Sequence, residues 1–299
     1  MFRVRRSGPP RRNLPERYRP HATCYNRFNR RRKAGAWDRI MSPNRKAYGG
    51  DVQMIEGMTM PGILEGKVAL VTGVSHDGQV GQGVAKKLVE NGAALAICAR
   101  TQSNVEARAE ELRRAGARVL ALATSLTDES QVRQLIERAL SEYKRIDILV
   151  NLAGGLTRYK PAVEHSLDDW NHELNNNLLT AFLTSRAVLP HMRDAGGGAI
   201  INFARAGLSQ ANMVAYNCAK AGIEALTRTL ALEGRDFGIR VNAVAPGLVD
   251  TASNIAAMKP KDLKRWTKRE DIAKTVVFLA SQAAAGITGQ VIAVTGWGL

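Results

Sequence analysis

The 299-residue sequence has few residues that could cross-link the chain through disulfides or metal ions. It contains three cysteines, Cys24, Cys98 and Cys218, and no two of them form a C-x-x-C pair. Its five histidines also lack the spacing found in a zinc-binding helix. We therefore expect neither a disulfide framework nor a metal site, and a reducing compartment, the cytoplasm, is the predicted location.

Long apolar runs are missing as well. No run approaches the roughly 18 residues that a membrane-spanning helix requires, and no apolar signal-peptide core lies near the N-terminus. Hydrophobic residues nevertheless make up 45% of the chain, as in an ordinary globular protein. The composition thus predicts one globular domain of about 240 residues with an extension, and no membrane partner.

Residues 1–57 differ in composition from the rest. They contain 15 Lys and Arg against 4 Asp and Glu, a net charge of +11, and they show no hydrophobic periodicity. Because such a segment buries too little apolar surface to fold, we predict a basic, disordered extension at 1–57 and a folded domain at 58–299. Two further interpretations are an organelle-targeting peptide and a nucleic-acid-binding arm. The aromatic residues are scattered, so nucleic acid is not an expected partner.

From Lys67 onward, short apolar runs alternate with segments of helical periodicity. The predicted strands are 68–71, 95–98, 119–122, 146–150, 199–203, 239–244 and 290–294, and the predicted helices are 82–91, 104–115, 129–143, 168–193, 216–234 and 270–281. Nearly continuous apolar strands that alternate with helices indicate a parallel sheet covered on both faces. With right-handed connections this is a doubly wound α/β fold.

In such sheets, ligands bind beyond the carboxyl ends of the strands. The first strand is followed by a glycine-rich turn, 72–83, that leads into a helix, whose free backbone N–H groups and dipole can hold a pyrophosphate. The residues of this turn that we expect to bind a cofactor are Gly73, Ser75, Gly81 and Gly83.

The ends of three later strands carry further candidates. Arg100 follows the second strand, where an arginine favours a ribose 2′-phosphate and therefore NADP(H) over NAD(H); it could instead be a solvated charge. The small residues after the fourth strand let a flat ligand approach the backbone, and the turn after the sixth strand could hold a carboxamide. The candidates at these two places are Asn151, Ala153, Gly154, Pro246, Gly247, Val249 and Thr251.

One helix carries an acid/base pair. Tyr216 and Lys220 are four residues apart and therefore share a helix face. A neighbouring cation stabilises a phenolate, so we expect the pKa of Tyr216 to fall from about 10 toward neutrality. Such a tyrosine can exchange a proton with a carbonyl or alcohol oxygen.

The glycine turn, Asn151-Leu-Ala-Gly154, Tyr216-x-x-x-Lys220 and Pro246-Gly247, in this order, resemble the motifs of the short-chain dehydrogenase/reductase family over residues 62–299. The resemblance implies a Rossmann-like domain, commonly a homotetramer, that moves hydride between a nicotinamide and a carbonyl or alcohol carbon. It makes Tyr216 the acid/base and Lys220 its partner and ribose ligand. Asn177 matches the asparagine that holds a relay water in this family.

The sequence departs from the family pattern at three places. The glycine turn is spaced like that of enoyl-acyl-carrier reductases, which however separate tyrosine and lysine more widely. Ser125 replaces the aspartate that relatives use near adenine. No serine stands a dozen residues before Tyr216, where relatives have the serine that polarises the substrate oxygen, and Arg205 and Ser209 are the possible substitutes.

The missing serine also keeps open a second interpretation, a dinucleotide-binding sensor or inactive subunit with little turnover. The segment 252–268, predicted to be a loop, carries no signature of a substrate.

Overall fold

The computed structural model describes residues 62–298, which belong to one compact unit. The strands are β1 (Val68–Thr72), β2 (Ala94–Ala99), β3 (Val119–Ala123), β4 (Ile148–Asn151), β5 (Gly198–Phe203), β6 (Ile239–Pro246) and β7 (Val291–Val294). The α-helices are α1 (Val80–Glu90), α2 (Gln102–Arg114), α3 (Glu129–Tyr143), α4 (Leu167–Leu174), α5 (Thr180–Asp194), α6 (Val214–Gly234), α7 (Ala252–Met258) and α8 (Arg269–Ala280). The predicted extension, including its boundary at residue 57, lies outside the described residues.

The seven strands form a single sheet in the order β3-β2-β1-β4-β5-β6-β7, and every neighbouring pair is parallel. The order along the chain reverses between β1 and β4, which is where a doubly wound sheet opens a crevice for a ligand. The predicted fold, a doubly wound, Rossmann-like parallel sheet, is therefore confirmed.

Both faces of the sheet are covered, which explains why its strands are apolar throughout. Alternate residues of β1 belong to different cores: Ala69 and Val71 face α1, α2 and α8, while Leu70 faces α3, α5 and α6. All three side chains are wholly buried. Burying a large aliphatic side chain contributes roughly 1.5 to 3 kcal/mol, so these two layers supply most of the driving force for folding.

The predicted helix over residues 129–143 is confirmed with its cap. The carboxylate of Asp128 accepts hydrogen bonds from the backbone N–H groups of Ser130 and Gln131 and so satisfies two otherwise free donors at the start of α3.

The structure corrects two predictions after β4. The chain is helical over the predicted range 168–193, but residues Asn175–Leu179 between α4 and α5 form a π-helical turn instead of a regular α-helix. Single-turn π-helices widen a helix locally and are frequent at functional sites. The segment predicted as a loop after β6 begins with a helix, α7, whose cap is the Thr251 hydroxyl accepting a hydrogen bond from the Asn254 N–H.

Within residues 62–298, no helix combines the length and the apolar character that a membrane crossing requires. In the same range, no three His, Cys, Asp or Glu side chains are grouped so that they could hold a metal ion.

Two glycines of the turn after β1 have opposite packing requirements. A Cβ atom on Gly81 would lie 2.5 Å from the Gly73 carbonyl oxygen, a backbone atom that cannot move aside. A Cβ atom on Gly83, two residues later in α1, would meet only the Arg269 Cβ at 3.9 Å. The start of α1 can therefore lie close to β1 only with glycine at position 81.

We predict that Gly81→Ala lowers the free energy of unfolding by about 1 to 3 kcal/mol through overpacking. Gly83→Ala is the matched control and should raise it by about 0.5 to 1 kcal/mol, because alanine loses less entropy than glycine in a helix. Urea unfolding of both variants measures the difference. Equal effects of the two substitutions would contradict the packing described for this turn.

Candidate active site

A cleft of about 690 Å³ runs along the carboxyl ends of the first four strands. Its walls come from the glycine turn after β1, the ends of β2 and β3, and the segment after β4. The predicted cofactor ligands that line it are Gly73, Ser75, Gly81, Arg100, Ala153 and Gly154. The cleft therefore brings together six candidates from three separate parts of the chain.

The floor of the cleft is the contact between the ends of β1 and β4. The Thr72 hydroxyl donates to the Val150 carbonyl (3.3 Å) and accepts from the N–H groups of Leu152 (3.0 Å) and Ala153 (3.1 Å). Gly73 follows with a φ of 77°, and a Cβ atom there would lie 2.9 Å from the Ala153 backbone. This glycine is required by both its backbone conformation and its close neighbour.

Arg100 and Ser125 line the far end of the cleft, beyond β2 and β3. Arg100 is exposed. Its guanidinium is thus free to meet an anionic group of a ligand that lies along the cleft. The Ser125 backbone N–H is held by the Gln131 side chain (2.8 Å), and its hydroxyl lies 3.2 Å from that of Thr127.

Asn151, a predicted cofactor ligand, has a buried side chain that faces the core. Its amide nitrogen donates to the Ser185 hydroxyl and to the Asn202 side chain, both at 2.9 Å, and its oxygen accepts from the Thr184 hydroxyl at 2.6 Å. This side chain links β4 to β5 and α5 rather than facing the cleft. Gly83, another predicted ligand, likewise does not line the cleft, and its N–H donates to the carbonyl of Gln79, the N-cap of α1.

Asn177 lies in the π-helical turn and is almost wholly buried. Its side-chain oxygen accepts from the Gly155 N–H (2.9 Å), while its nitrogen donates to the Gly155 carbonyl (3.1 Å) and to the Glu173 carboxylate (3.1 Å). The amide therefore fixes the backbone of the segment after β4. Gly154 can only be glycine here, since its φ is 137° and a Cβ atom would lie 2.7 Å from the Asn177 oxygen.

The turn after β6 folds over the glycine turn. The Ala252 N–H donates to the Gly78 carbonyl (3.0 Å), and the Ser253 hydroxyl donates to the Gln79 side chain (3.2 Å). Among the four candidates in this turn, Val249 and Thr251 are buried, the Gly247 N–H donates to the Val294 carbonyl, and the Pro246 carbonyl accepts from the Ala206 N–H. These four residues shape the turn and do not line the cleft.

Tyr216 and Lys220 lie together on α6, beside the end of β5. The Lys220 ammonium is buried, donates to the Phe203 carbonyl at 2.8 Å and lies 5.7 Å from the centre of the Tyr216 ring. The spacing of four residues thus produces the expected side-by-side arrangement. The lysine is fixed by the last residue of the strand.

The expected lowering of the Tyr216 pKa was wrong for the protein on its own. Burial raises the pKa of Tyr216 above its usual value, the Arg205 guanidinium opposes this, and the Glu173 carboxylate adds to it. Burial also lowers the pKa of Lys220 to about 8, against the influence of Glu173. Desolvation is the largest cause of both shifts, and a sequence pattern cannot reveal it.

The two candidates for the missing serine differ in position. Arg205 lies two residues beyond the end of β5, is partly buried, and is close enough to Tyr216 to influence its pKa. Its Nη1 donates to the Leu208 carbonyl at 2.8 Å. Ser209 is exposed on the following loop. Arg205 is therefore better placed than Ser209 to take the role of the missing serine.

Sequence reasoning missed two buried polar residues of this site. Thr72 is the last residue of an apolar strand and gave no signal beyond its polarity. Glu173 is wholly buried behind the cleft, where its carboxylate accepts hydrogen bonds from Thr157, Arg158 and Asn177. A carboxylate one turn before Asn177 on a predicted helix was a usable signal, because residues at this spacing share a face.

Known proteins resemble this chain over its described part. Residues 73–297 match the family model described as enoyl-(acyl carrier protein) reductase. The cis-4-hydroxycyclohexanecarboxylate dehydrogenase of Sinomonas cyclohexanicum is 36% identical over 77% of this chain and 95% of its own length. The 3-oxoacyl-[acyl-carrier-protein] reductase of Chlamydia pneumoniae is 35% identical over 78% of this chain and 97% of its own.

A solved structure has a similar fold. NAD⁺-bound xylitol dehydrogenase superposes with a TM-score of 0.73 at 27% identity, covering 78% of this chain and 99% of the other. The cleft fits such a cofactor, because it is lined by the first residues of α1, Val80 and Gly81, where no side chain caps the helix and free backbone N–H groups can hold a pyrophosphate. Together, the parallel sheet, the cleft and these relatives show that the chain belongs to the short-chain dehydrogenase/reductase family of oxidoreductases, which bind a nicotinamide dinucleotide.

Proposed function

We propose that this protein is an NADP(H)-dependent oxidoreductase that interconverts carbonyl and alcohol groups, with Tyr216 as the acid/base and Lys220 as its partner. The observation that carries the proposal is the placement of this pair. The ammonium is fixed on the Phe203 carbonyl at the sheet edge where the cleft lies. A proton donor is thereby held at the same edge of the sheet as a cleft that suits a dinucleotide.

The direction of the Tyr216 pKa shift suits a proton donor. Because burial raises this pKa, the phenol keeps its proton at neutral pH and can donate it to a carbonyl oxygen. The nicotinamide, when bound, supplies the hydride for this reduction and accepts one in the reverse reaction. Lys220 stabilises negative charge that develops on the phenol oxygen while its ammonium remains protonated, below about pH 8.

The cofactor would be held by the residues around the cleft. We assign the pyrophosphate to the glycine turn, with Gly73, Ser75 and Gly81, and the 2′-phosphate to Arg100. Ala153 and Gly154 form the wall against which a flat base or ribose packs. The turn that contains Pro246, Gly247, Val249 and Thr251 remains the proposed site of the carboxamide, because Ser253, directly after this turn, lines the cleft.

Asn177 remains the proposed holder of a relay water. Its side chain is engaged by Gly155 and Glu173, so we assign this water to its backbone carbonyl. The π-helical turn supports this assignment, because such turns disturb the regular backbone hydrogen bonding of a helix.

We also assign the role of the missing serine to Arg205. A guanidinium beside the phenol can donate a charge-assisted hydrogen bond to the substrate oxygen, which a hydroxyl would otherwise do. Its position near Tyr216 and its anchor on the Leu208 carbonyl support this assignment.

A cofactor-binding protein with little turnover is the second candidate function. The absence of the family serine favours it, because one lost oxyanion donor reduces kcat by about a hundredfold or more. Detectable turnover that depends on Tyr216 separates the two candidates.

A homo-oligomer, with the tetramer of the family as the expected form, is part of the proposal. An apolar groove lies on the surface between the π-helical turn and α6, lined by Leu174, Leu178, Leu179, Phe182 and Leu226. Phe182 is 38% exposed there. A second copy of the chain would cover these side chains.

The cofactor assignment predicts that NADPH binds about ten- to a hundredfold more tightly than NADH, because charge-assisted hydrogen bonds are worth roughly 1.5 to 3 kcal/mol. Arg100→Asp should remove or reverse this preference. Arg114→Asp, an exposed charge change on α2, is the control and should leave it intact. Fluorescence titration measures both affinities. Equal affinity of the unmutated protein for the two cofactors would refute the role of Arg100.

The catalytic assignment predicts that Tyr216→Phe lowers kcat at least about a hundredfold in NADPH-dependent reduction of a carbonyl panel. The affinity for NADPH should stay within about twofold, since the phenol is proposed to contact the reacting oxygen. Lys220→Ala should weaken both turnover and cofactor binding. Undiminished turnover in Tyr216→Phe would exclude this tyrosine as the acid.

The two candidate donors can be compared directly. Arg205→Ala should lower kcat by about tenfold or more, whereas Ser209→Ala on the same loop should leave it unchanged. Steady-state kinetics with one reactive ketone are sufficient. The reverse result would assign the role to Ser209.

The pH dependence follows from Lys220. Its pKa lies below the usual value for lysine, at about 8, so the ammonium charge is present below that pH and is lost above it. We predict that kcat/KM for NADPH, which reports groups of the free enzyme, is constant from about pH 6 to 7 and falls above about pH 8. A profile that stays flat to about pH 10 would show that Lys220 keeps an ordinary pKa.

A further inference from the structure

Glu173 is an acidic side chain with no place in the chemistry described above. It lies on α4 with 0% exposure. One carboxylate oxygen accepts three hydrogen bonds, from the Thr157 N–H (2.6 Å), the Thr157 hydroxyl (2.5 Å) and the Arg158 N–H (2.7 Å). Every one of these partners is a donor, which suits an ionised carboxylate. An ionised carboxylate that is wholly buried costs folding free energy unless hydrogen bonds and an opposite charge compensate for its lost hydration.

The other oxygen of Glu173 acts on the same wall of the cleft. It accepts from the Asn177 amide nitrogen at 3.1 Å, and Asn177 in turn holds the N–H and the carbonyl of Gly155. Gly155 and Thr157 both line the cleft. The carboxylate therefore holds residues 155–158, which form part of the wall of the cleft.

Three cations near this part of the site have other partners. Arg158 and Lys160 both pair with Asp169, and Arg205, which lies near Tyr216, donates to the Leu208 carbonyl. The Lys220 ammonium on α6, the helix against which α4 packs, is buried and donates to the Phe203 carbonyl, and among residues 62–298 no carboxylate lies within 4.0 Å of it. The Glu173 charge opposes the lowering of the Lys220 pKa by burial.

We propose that Glu173 is a positioning residue of the active site, which fixes the 155–158 wall of the cleft and places a negative charge on α4 where that helix packs against α6, the helix of Lys220. The inference rests on the proposed function, because it gives Glu173 a role only if Tyr216 and Lys220 act on substrate. Glu173 would then have two roles, because it holds the wall of the cleft and places a negative charge near Lys220.

The pH profile of Glu173→Gln tests the charge. This substitution keeps the shape of the side chain and removes its charge. Without Glu173, the pKa values of Lys220 and Tyr216 should both fall, because the carboxylate raises each of them. The fall of kcat/KM for NADPH near pH 8 should therefore move to lower pH by about one unit. A fall that stays within about 0.2 units of the unmutated enzyme would overturn the proposal.

Arg240→Gln is the matched control for loss of structure. Arg240 lies near the amino end of β6, whereas the cleft lies beyond the carboxyl ends of the strands. Its guanidinium donates to the carbonyls of Leu279 and Ser281. This variant also loses hydrogen bonds to backbone groups, yet its pH profile should not move. An equal shift in both variants would mean that the profile reports general destabilisation, and it would overturn the proposal.

A stability cycle covers the case in which Glu173→Gln folds poorly. If Glu173 balances Lys220, then Glu173→Gln should lower the melting temperature less in the Lys220→Met background than in the unmutated protein, or should raise it there. Additive effects would overturn the proposal. Melting temperatures need no turnover, so this result is independent of the proposed function. That function fails by itself if no turnover depends on Tyr216.

Discussion

The site depends on the close approach of β1 and β4 at the point where the order of strands reverses. The Thr72 hydroxyl joins the two strand ends, and Gly73 admits the backbone of Ala153 at a distance that no other residue would allow. The crevice beyond this contact is bounded by the glycine turn on one side and by the segment after β4 on the other. The parallel sheet thus makes a cleft by geometry alone, and the side chains at its edge determine what the cleft binds.

Much of this arrangement could be predicted from the sequence, because it depends on local patterns. Apolar strands alternating with helices gave the doubly wound sheet, Asp128 marked the start of a helix, and the glycines after β1 marked the turn. The π-helical turn at Asn175–Leu179 could not be predicted, since three consecutive asparagines fit an ordinary helix as well. The helix after β6 was missed for a similar reason, because seven residues carry too little periodicity to be recognised.

The chemistry of the site was harder to predict than its location. Spacing placed Tyr216 beside Lys220, but it could not show that burial would raise the pKa of the tyrosine and lower that of the lysine. The roles of Asn151 and Asn177 also depend on burial, because their side-chain amides form hydrogen bonds with neighbouring strands and loops. The role of Glu173 depends on burial in the same way. It is an acidic residue whose effect arises from the charges that the fold brings near it, and these come from distant parts of the chain.

The central claim is that hydride moves between a nicotinamide and a carbonyl carbon while Tyr216 supplies the proton. The most direct measurement uses NADPH deuterated at the transferring position of the nicotinamide, a panel of ketones, and mass spectrometry of the products. We expect an alcohol with one deuterium on its carbinol carbon from the unmutated protein, and none above background from Tyr216→Phe. A protein that binds NADPH tightly but gives no deuterated alcohol with any ketone, or a Tyr216→Phe variant that forms it equally fast, would contradict the proposed mechanism.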